Sequence, residues 1–311
     1  MCQLRFPGED GAAVSVEVPT RDRDQLLARA VAAIAAQEHG GPLEVIVVRD
    51  GTPATPLDVD LPAGVTLRQV PNTRTPGLPG ARNSGILAAT HDLVAFCDDD
   101  DEWLPGKLAA QVALLAARPD AALVATGIVV VQAGGETVRP GPDRDIVLAD
   151  LLADRIMELH PSGFLLRRAD LLGPVGLVDE ELAGGYAEDY DLLLRAAAHG
   201  PVVAVPEPLV RVHWHGGSYY FSRWQTIHDA LETLLVKHPF ASSRRGTARI
   251  RGQQALALAA TGRRGAAVRT AGQALRLAPT EKRAYLAVAV AGRVLDVDRL
   301  QRWLHRRGRG L

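Results

Sequence analysis

The first two thirds of the chain alternate between short apolar runs and stretches of helical spacing. Residues 43–48 form an unbroken, largely β-branched run, the pattern of a strand buried on both faces. Residues 14–18, 65–70, 92–97 and 121–131 read as further strands. Between them, residues 24–37 set Leu26, Leu27, Ala30, Val31 and Ile34 at helical spacing, and residues 81–89 and 104–117 also read as helices. This alternation predicts an open, mostly parallel α/β sheet. In such sheets ligands gather outside the carboxyl ends of the strands. Three of those ends are polar: Pro19, Thr20, Arg21 and Asp22; then Arg49, Asp50, Gly51 and Thr52; then Asp98, Asp99, Asp100 and Asp101.

The character of the chain changes near Trp224. Beyond it the sequence is rich in Ala, Leu and Arg, and residues 227–237, 248–260, 265–277 and 282–295 read as four helices. We therefore expect an α/β unit over residues 1–224 and an α-helical unit over 225–311. The segment ALALAATGRRGAAVRTAGQALRLAPTEKRAYLAVA has the small-residue pattern of a tetratricopeptide-like helical pair. One such pair is too short for an array, so a helical unit packed on the α/β one is the simpler reading. Self-association as a homodimer, or docking of a further ligand, are the roles such helices suggest.

Composition narrows the class. Acids and bases nearly cancel, 36 against 35 among 311 residues, which argues against a nucleic-acid partner. The two cysteines, Cys2 and Cys97, make no disulfide framework, and a reducing cytoplasm is the expected compartment. Cys97 follows a strand-like apolar run and reads as a small buried hydrophobe. No leader-like pattern opens the chain, and no apolar run approaches the length of a membrane span. The basic segment 302–309, with Trp303 and Leu304, suits peripheral contact with the inner face of an anionic membrane, although a solvated end is the simpler reading.

The aspartate run carries the chemistry. Like charges at the end of a buried strand repel, and a cation relieves them. Hard carboxylate oxygens select Mg²⁺ or Mn²⁺, which also bridge phosphate oxygens. If the run stays extended, Asp98 and Asp100 share one face and Asp99 takes the other.

The segment VAFCDDDDEWLPGKL resembles the DxD region of family 2 glycosyltransferases, inverting enzymes of the GT-A fold. Five further pieces follow the family's order: VSVEVPTRDRDQLLARAVAAIAAQ, LEVIVVRDGT, GLPGARNSGILAAT, the segment HPSGF to RAAAHG, and VPEPLVRVHWHGGS. Together they cover about residues 13–220. The resemblance implies a GT-A, nucleotide-diphospho-sugar-transferase fold, Rossmann-like, and a nucleotide-sugar donor, with UDP- or dTDP-sugars favoured. It implies that Pro19 and Thr20 border base and ribose, that Asp50 bonds the base, and that Arg82 lies by the diphosphate. Asp98 would face ribose and metal, Asp99 would line the donor site, and Asp100 would be the main metal ligand. His215, before Gly216, Gly217 and Ser218, would reach metal or diphosphate. Asp189 would be the base that takes the acceptor's proton, with Glu188 and Trp103 on the acceptor side. Arg49 stands where the family usually carries a second acid, which bears on base preference. The acceptor classes implied are a lipid-linked sugar, a polysaccharide, a natural product or a peptide.

Two other functions compete. A sugar nucleotidyltransferase would carry a Gly-rich loop with Arg and Lys after the first strand, where PTRDRD stands. A non-catalytic scaffold acting through the helical tail would leave Asp50, Asp98 to Asp101 and Asp189 without a reason.

Overall fold

A computed structural model describes residues 11–132, 134–214, 223–297 and 299–300. The early strands form where expected: β1 (Val14–Thr20), β2 (Leu43–Arg49), β3 (Val65–Pro71), β4 (Leu93–Phe96) and β6 (Leu123–Gln132). Four more join them: β5 (Glu102–Trp103), β7 (Gly135–Arg139), β8 (Leu165–Arg167) and β9 (Val202–His213). The sheet order is β3-β2-β1-β4-β8-β6-β9-β5, with β7 beside β6. β3, β2, β1 and β4 run parallel. β8 is antiparallel to both β4 and β6, β9 is parallel to β6, and β5 is antiparallel to β9. The parallel half is thus extended by a mixed half.

Alternation along the strands sends side chains to two cores. Val14, Val16, Val18, Val45 and Val47 meet α1 (Asp24–Ala35) and α3 (Lys107–Ala117) on one face. Ile46, Val48, Val94 and Phe96 meet α2 (Leu78–Ala88), α4 (Leu148–Ala153), α5 (Arg168–Leu172) and α6 (Glu188–His199) on the other.

From Trp224 on, the described residues are mainly helical: α7 (Trp224–Lys237), α8 (Arg244–Ala260), α9 (Arg264–Leu277) and α10 (Lys282–Ala291). Leu231, Leu234, Phe240 and Ile250 join the same core as α6. Further on, Ala255, Ala267, Ala271, Ala274, Ala284 and Ala287 form a separate, fully buried cluster, where small side chains let the helices approach closely. Among the described residues, no helix is long and apolar enough to cross a membrane.

Candidate active site

Strand pairing brings three distant segments to one sheet edge. Thr20 and Arg49 are register partners, and Glu17 pairs with Phe96. The ladder continues past the strands, with Asp50 N–H donating to the Thr20 carbonyl at 3.0 Å and Cys97 N–H to the Glu17 carbonyl at 3.1 Å. The polar ends of β1, β2 and β4 therefore lie side by side.

The aspartate run does not stay extended. Asp101 N–H donates back to the Asp98 carbonyl at 3.1 Å, closing a turn. The turn sends Asp99 inward and gathers Asp98 with Asp101. Asp99 is fully buried, accepting from the Thr20 hydroxyl at 2.6 Å and Arg23 Nε at 3.1 Å. This corrects the expectation that Asp99 lines the donor site: its carboxylate is spent on the Thr20 hydroxyl and Arg23, tying the end of β1 to the turn. Burial raises the Asp99 carboxyl to about 6, against the opposing Thr20 hydrogen bond and Arg23 charge. Asp100 stays partly exposed and pairs with Arg23 at 2.7 Å.

Asp101 is buried, accepts from the Ser162 hydroxyl at 2.5 Å and from His213 N–H at 3.2 Å, and lies 3.5 Å from His160 Nδ1. Burial, reinforced by the charges of Asp98 and Asp100, pushes its carboxyl well above the usual range. Ligand atoms of Asp98, Asp101 and His160 all lie within 4.8 Å of one another. Trp103 is not on an accessible acceptor face. It is buried, donates its indole N–H to the Ser162 carbonyl at 2.9 Å, and carries the buried Lys107 ammonium 3.6 Å above its ring.

Arg82 is the largest departure from expectation. It is 1% exposed and binds three carboxylates: Glu17 at 2.8 Å, Asp98 at 2.7 Å and Glu188 at 3.2 Å. It is an interior hub between β1, the aspartate turn and α6, not a surface arginine free to meet a diphosphate. Gly85 permits this closeness, because a Cβ there would stand 2.7 Å from the Glu17 Cβ. Burial lifts Glu17 to about 8 despite Arg82. Asp98 goes the other way: burial opposes it, but the charges of Arg82, His160 and Arg23 hold its carboxyl below the usual range.

Asp50 is buried at the end of β2, and both its oxygens accept from Gly77 N–H at 3.1 Å. Gly77 has φ 115°, which only glycine adopts readily, so this contact shapes the loop before α2. Arg49 turns away, to Asp24, Gln69 and Thr55. Pro19 is buried in β1.

Opposite the turn, α6 begins with Glu188 and Asp189. Glu188 accepts from Asp189 N–H at 2.6 Å, and burial, then the Asp189 charge, raise it to about 7 against Arg82. Asp189 pairs with Arg155 through Oδ2 and accepts from Tyr190 N–H through Oδ1 at 2.8 Å. Arg82, Phe96, Pro161, Phe164, Glu188 and Asp189 line one crevice. His215, like Cys2 and the segment 302–309, lies outside the described residues.

Sequence reasoning missed Glu17, Arg23, Arg155, His160 and Ser162. Glu17 had a signal, an acid inside an otherwise apolar strand, and His160 and Ser162 had theirs in the HPSG segment. Arg23 and Arg155 had none beyond their type. Together, six carboxylates (Glu17, Asp98, Asp99, Asp100, Glu188, Asp189) meet the guanidinium groups of Arg23, Arg82 and Arg155, and a seventh, Asp101, lies by His160. Hard oxygens in surplus, with an imidazole beside them, are a donor set that fits a divalent cation.

Residues 15–172 match the description Glycosyl transferase family 2. An uncharacterised glycosyltransferase of Nostoc sp. is 26% identical over 221 residues, 67% of this chain and 67% of that protein. The pre-mycofactocin glycosyltransferase of Mycobacterium tuberculosis is 29% identical over 237 residues, 73% of this chain and 48% of that protein, so the chain spans about half of that relative. Among solved structures, S. aureus TarS 1–349 in complex with UDP-GlcNAc matches with a TM-score of 0.58 at 17% identity, covering 96% of this chain and 92% of that one. The same protein with UDP matches at 0.59. The fold is GT-A with a helical C-terminal region.

Proposed function

The chain belongs to glycosyl transferase family 2, and from that premise we propose that it moves a sugar from a nucleotide-diphosphate donor to an acceptor nucleophile by single displacement with inversion. The observation that carries this reading is the meeting of three strand ends with the acids that open α6. UDP-GlcNAc and UDP in the TarS complexes support a uridine-linked donor, with dTDP-sugars next.

We assign the nucleoside to the edge made by Pro19, Thr20 and Asp50. Mg²⁺ or Mn²⁺ would be held by Asp98 and Asp100, with Asp101, His160 and His215 as further candidate donors. When bound, the cation offsets the charge of the departing diphosphate. Arg82 acts from inside by orienting Asp98 and Glu188. Asp189 takes the acceptor's proton as the nucleophile attacks the anomeric carbon. Arg155, paired with Asp189, aims it. No covalent enzyme intermediate is needed. We assign the chemistry to residues 1–224 and a supporting role to 225–311, whose described helices α7 to α10 follow it.

Calorimetry of UDP and UDP-GlcNAc with Mn²⁺, with Mg²⁺ and with chelator tests the donor side. UDP is expected to bind at least about tenfold more tightly with metal, as for a phosphate-bridging ion, and Asp100→Asn is expected to remove that gain. Equal affinity under chelation, or an unaffected variant, overturns the metal assignment.

A further inference from the structure

The segment that opens α6 is held from two directions. Glu188 and Asp189 face forward, to Arg82 and Arg155. Tyr190 and Asp191 face back, toward the helices beyond Trp224. The Tyr190 hydroxyl donates to the Leu151 carbonyl at 2.5 Å and accepts from Arg249 Nη2 of α8 at 2.8 Å. Asp191 is fully buried and takes His238 Nε2 at 2.7 Å, Lys237 Nζ at 2.8 Å and Arg195 Nε at 2.9 Å. Burial resists ionisation of Asp191, but the His238 bond and the Arg195 and Lys237 contacts outweigh it and hold its carboxyl below the usual range.

Arg249 braces a second element. Its Nε is 3.6 Å from Asp154, and Arg245 of the same helix bonds Asp154 at 2.8 Å. Asp154 precedes Arg155, the partner of Asp189. Thus α8 backs both members of the Arg155–Asp189 pair, one through Asp154 and the other through Tyr190.

The start of α6 needs that support. It has no side-chain cap, and its N-cap, Ala187, is a non-glycine residue at φ 64°. Such a residue keeps this conformation only where its surroundings hold it. A slip of one residue would swing Asp189 by about 100°.

We propose that Lys237, His238 and Arg249 are positioning residues for Asp189, so that the tail helices set the geometry of transfer without touching donor or acceptor. This rests on the reading of Asp189 as the base. It revises the expectation that the tail serves only association or docking.

The test uses the full chain with two substitutions on opposite sides of one contact, Arg249→Met and Tyr190→Phe, and the conservative Arg249→Lys. Amide hydrogen exchange is followed over residues 187–199 and 264–291. Calorimetry measures UDP with Mn²⁺, and turnover uses UDP-GlcNAc with water as acceptor. Each disruptive variant is expected to speed exchange over 187–199 at least about tenfold, as for a locally opened segment, with 264–291 unchanged. The affinity for UDP stays within about twofold, kcat falls about tenfold at constant KM, and Arg249→Lys recovers part of it. Unchanged exchange over 187–199 overturns the clamp. Faster exchange with unchanged kcat overturns its role in positioning, as does a matching loss of UDP affinity. If Arg249→Met loosens the whole chain, the milder Tyr190→Phe decides by the same criteria. If the wild type turns over no nucleotide-sugar, the proposed function fails, while the exchange measurement still judges the clamp.

Discussion

Replacing Asp189 by asparagine isolates proton transfer from shape. The amide oxygen still accepts from Tyr190 N–H at the position where Oδ1 now does, so the start of α6 is kept. The other oxygen, now paired with Arg155, becomes an amide nitrogen that neither takes a proton nor pairs with a guanidinium. Arg155 is 30% exposed, so water replaces much of the lost pairing, and the cost in stability is about 1 kcal/mol, the scale for a partly exposed ion pair. Loss of a general base is larger, about 10²–10⁴-fold in rate, or about 3–5 kcal/mol of barrier. Catalysis should therefore fall far more than stability. The expected outcome is a folded Asp189→Asn variant that binds UDP with Mn²⁺ as the wild type does and transfers sugar at least about a hundredfold more slowly. The control is Glu188→Gln. Burial raises Glu188 to about 7, so near neutral pH much of it is protonated, and glutamine resembles that form. Its carbonyl can still accept from Asp189 N–H. This control is expected to stay within about tenfold of wild type, since no general base is removed. Steady-state rates with metal-loaded donor, read beside calorimetric UDP affinity, decide. A dead Glu188→Gln with an active Asp189→Asn moves the base to Glu188. Activity in both refutes the mechanism at its central step.

Two further expectations concern the interior. Burial lowers Lys107 from 10.5 to about 7, which corresponds to about 5 kcal/mol between its charged and neutral forms; the Trp103 ring below it opposes by only about 2 kcal/mol. The unfolded chain then holds more protons between pH 7 and 10.5, so this site makes stability rise with pH across that window, with the full penalty present at pH 7 and below. Lys107→Met should raise the denaturant midpoint at pH 7 and give little or no gain near pH 10; a loss at pH 7 would show that the bond to Gln111 and the ring contact dominate. Arg82→Met should leave Glu17, Asp98 and Glu188 without their shared counter-charge and cost about 3–5 kcal/mol in denaturant unfolding. A loss below about 1 kcal/mol, the scale of a surface pair, would mean that the carboxylates neutralise themselves by taking up protons.

Much of the fold was legible in the chain. β1, β2, β3, β4 and β6, helices α1, α2 and α3, and the four helices of the tail lie within a few residues of their expected places. Burial on both faces of a parallel sheet imposes continuous apolar runs, and a helix packed on one side imposes a repeat of 3.6, so local sequence suffices. The polar strand ends were legible for the same reason, since a break in an apolar run marks where a strand leaves the core. The family order of motifs pointed to Asp50, the aspartate run and the Glu188–Asp189 pair.

Tertiary structure alone decided how those residues are used. The short β5 and β8 carry too few residues for a period to show, β7 is largely exposed and has no apolar run to mark it, and the pairing of all three depends on the path of the whole chain. The turn closed between Asp98 and Asp101 separates the four acids into different environments: Asp99 inside with Thr20, Asp100 toward Arg23, Asp98 and Asp101 toward His160. Arg82, expected beside the diphosphate, is a buried hub because its partners come from positions 17, 98 and 188. Asp191 and Tyr190 tied the tail to the catalytic helix through residues 47 and 59 positions away. Identity and periodicity fix what a residue prefers, burial or water, helix or strand. The partner that satisfies a buried charge is chosen by proximity in space, and that proximity exists only once the chain has closed.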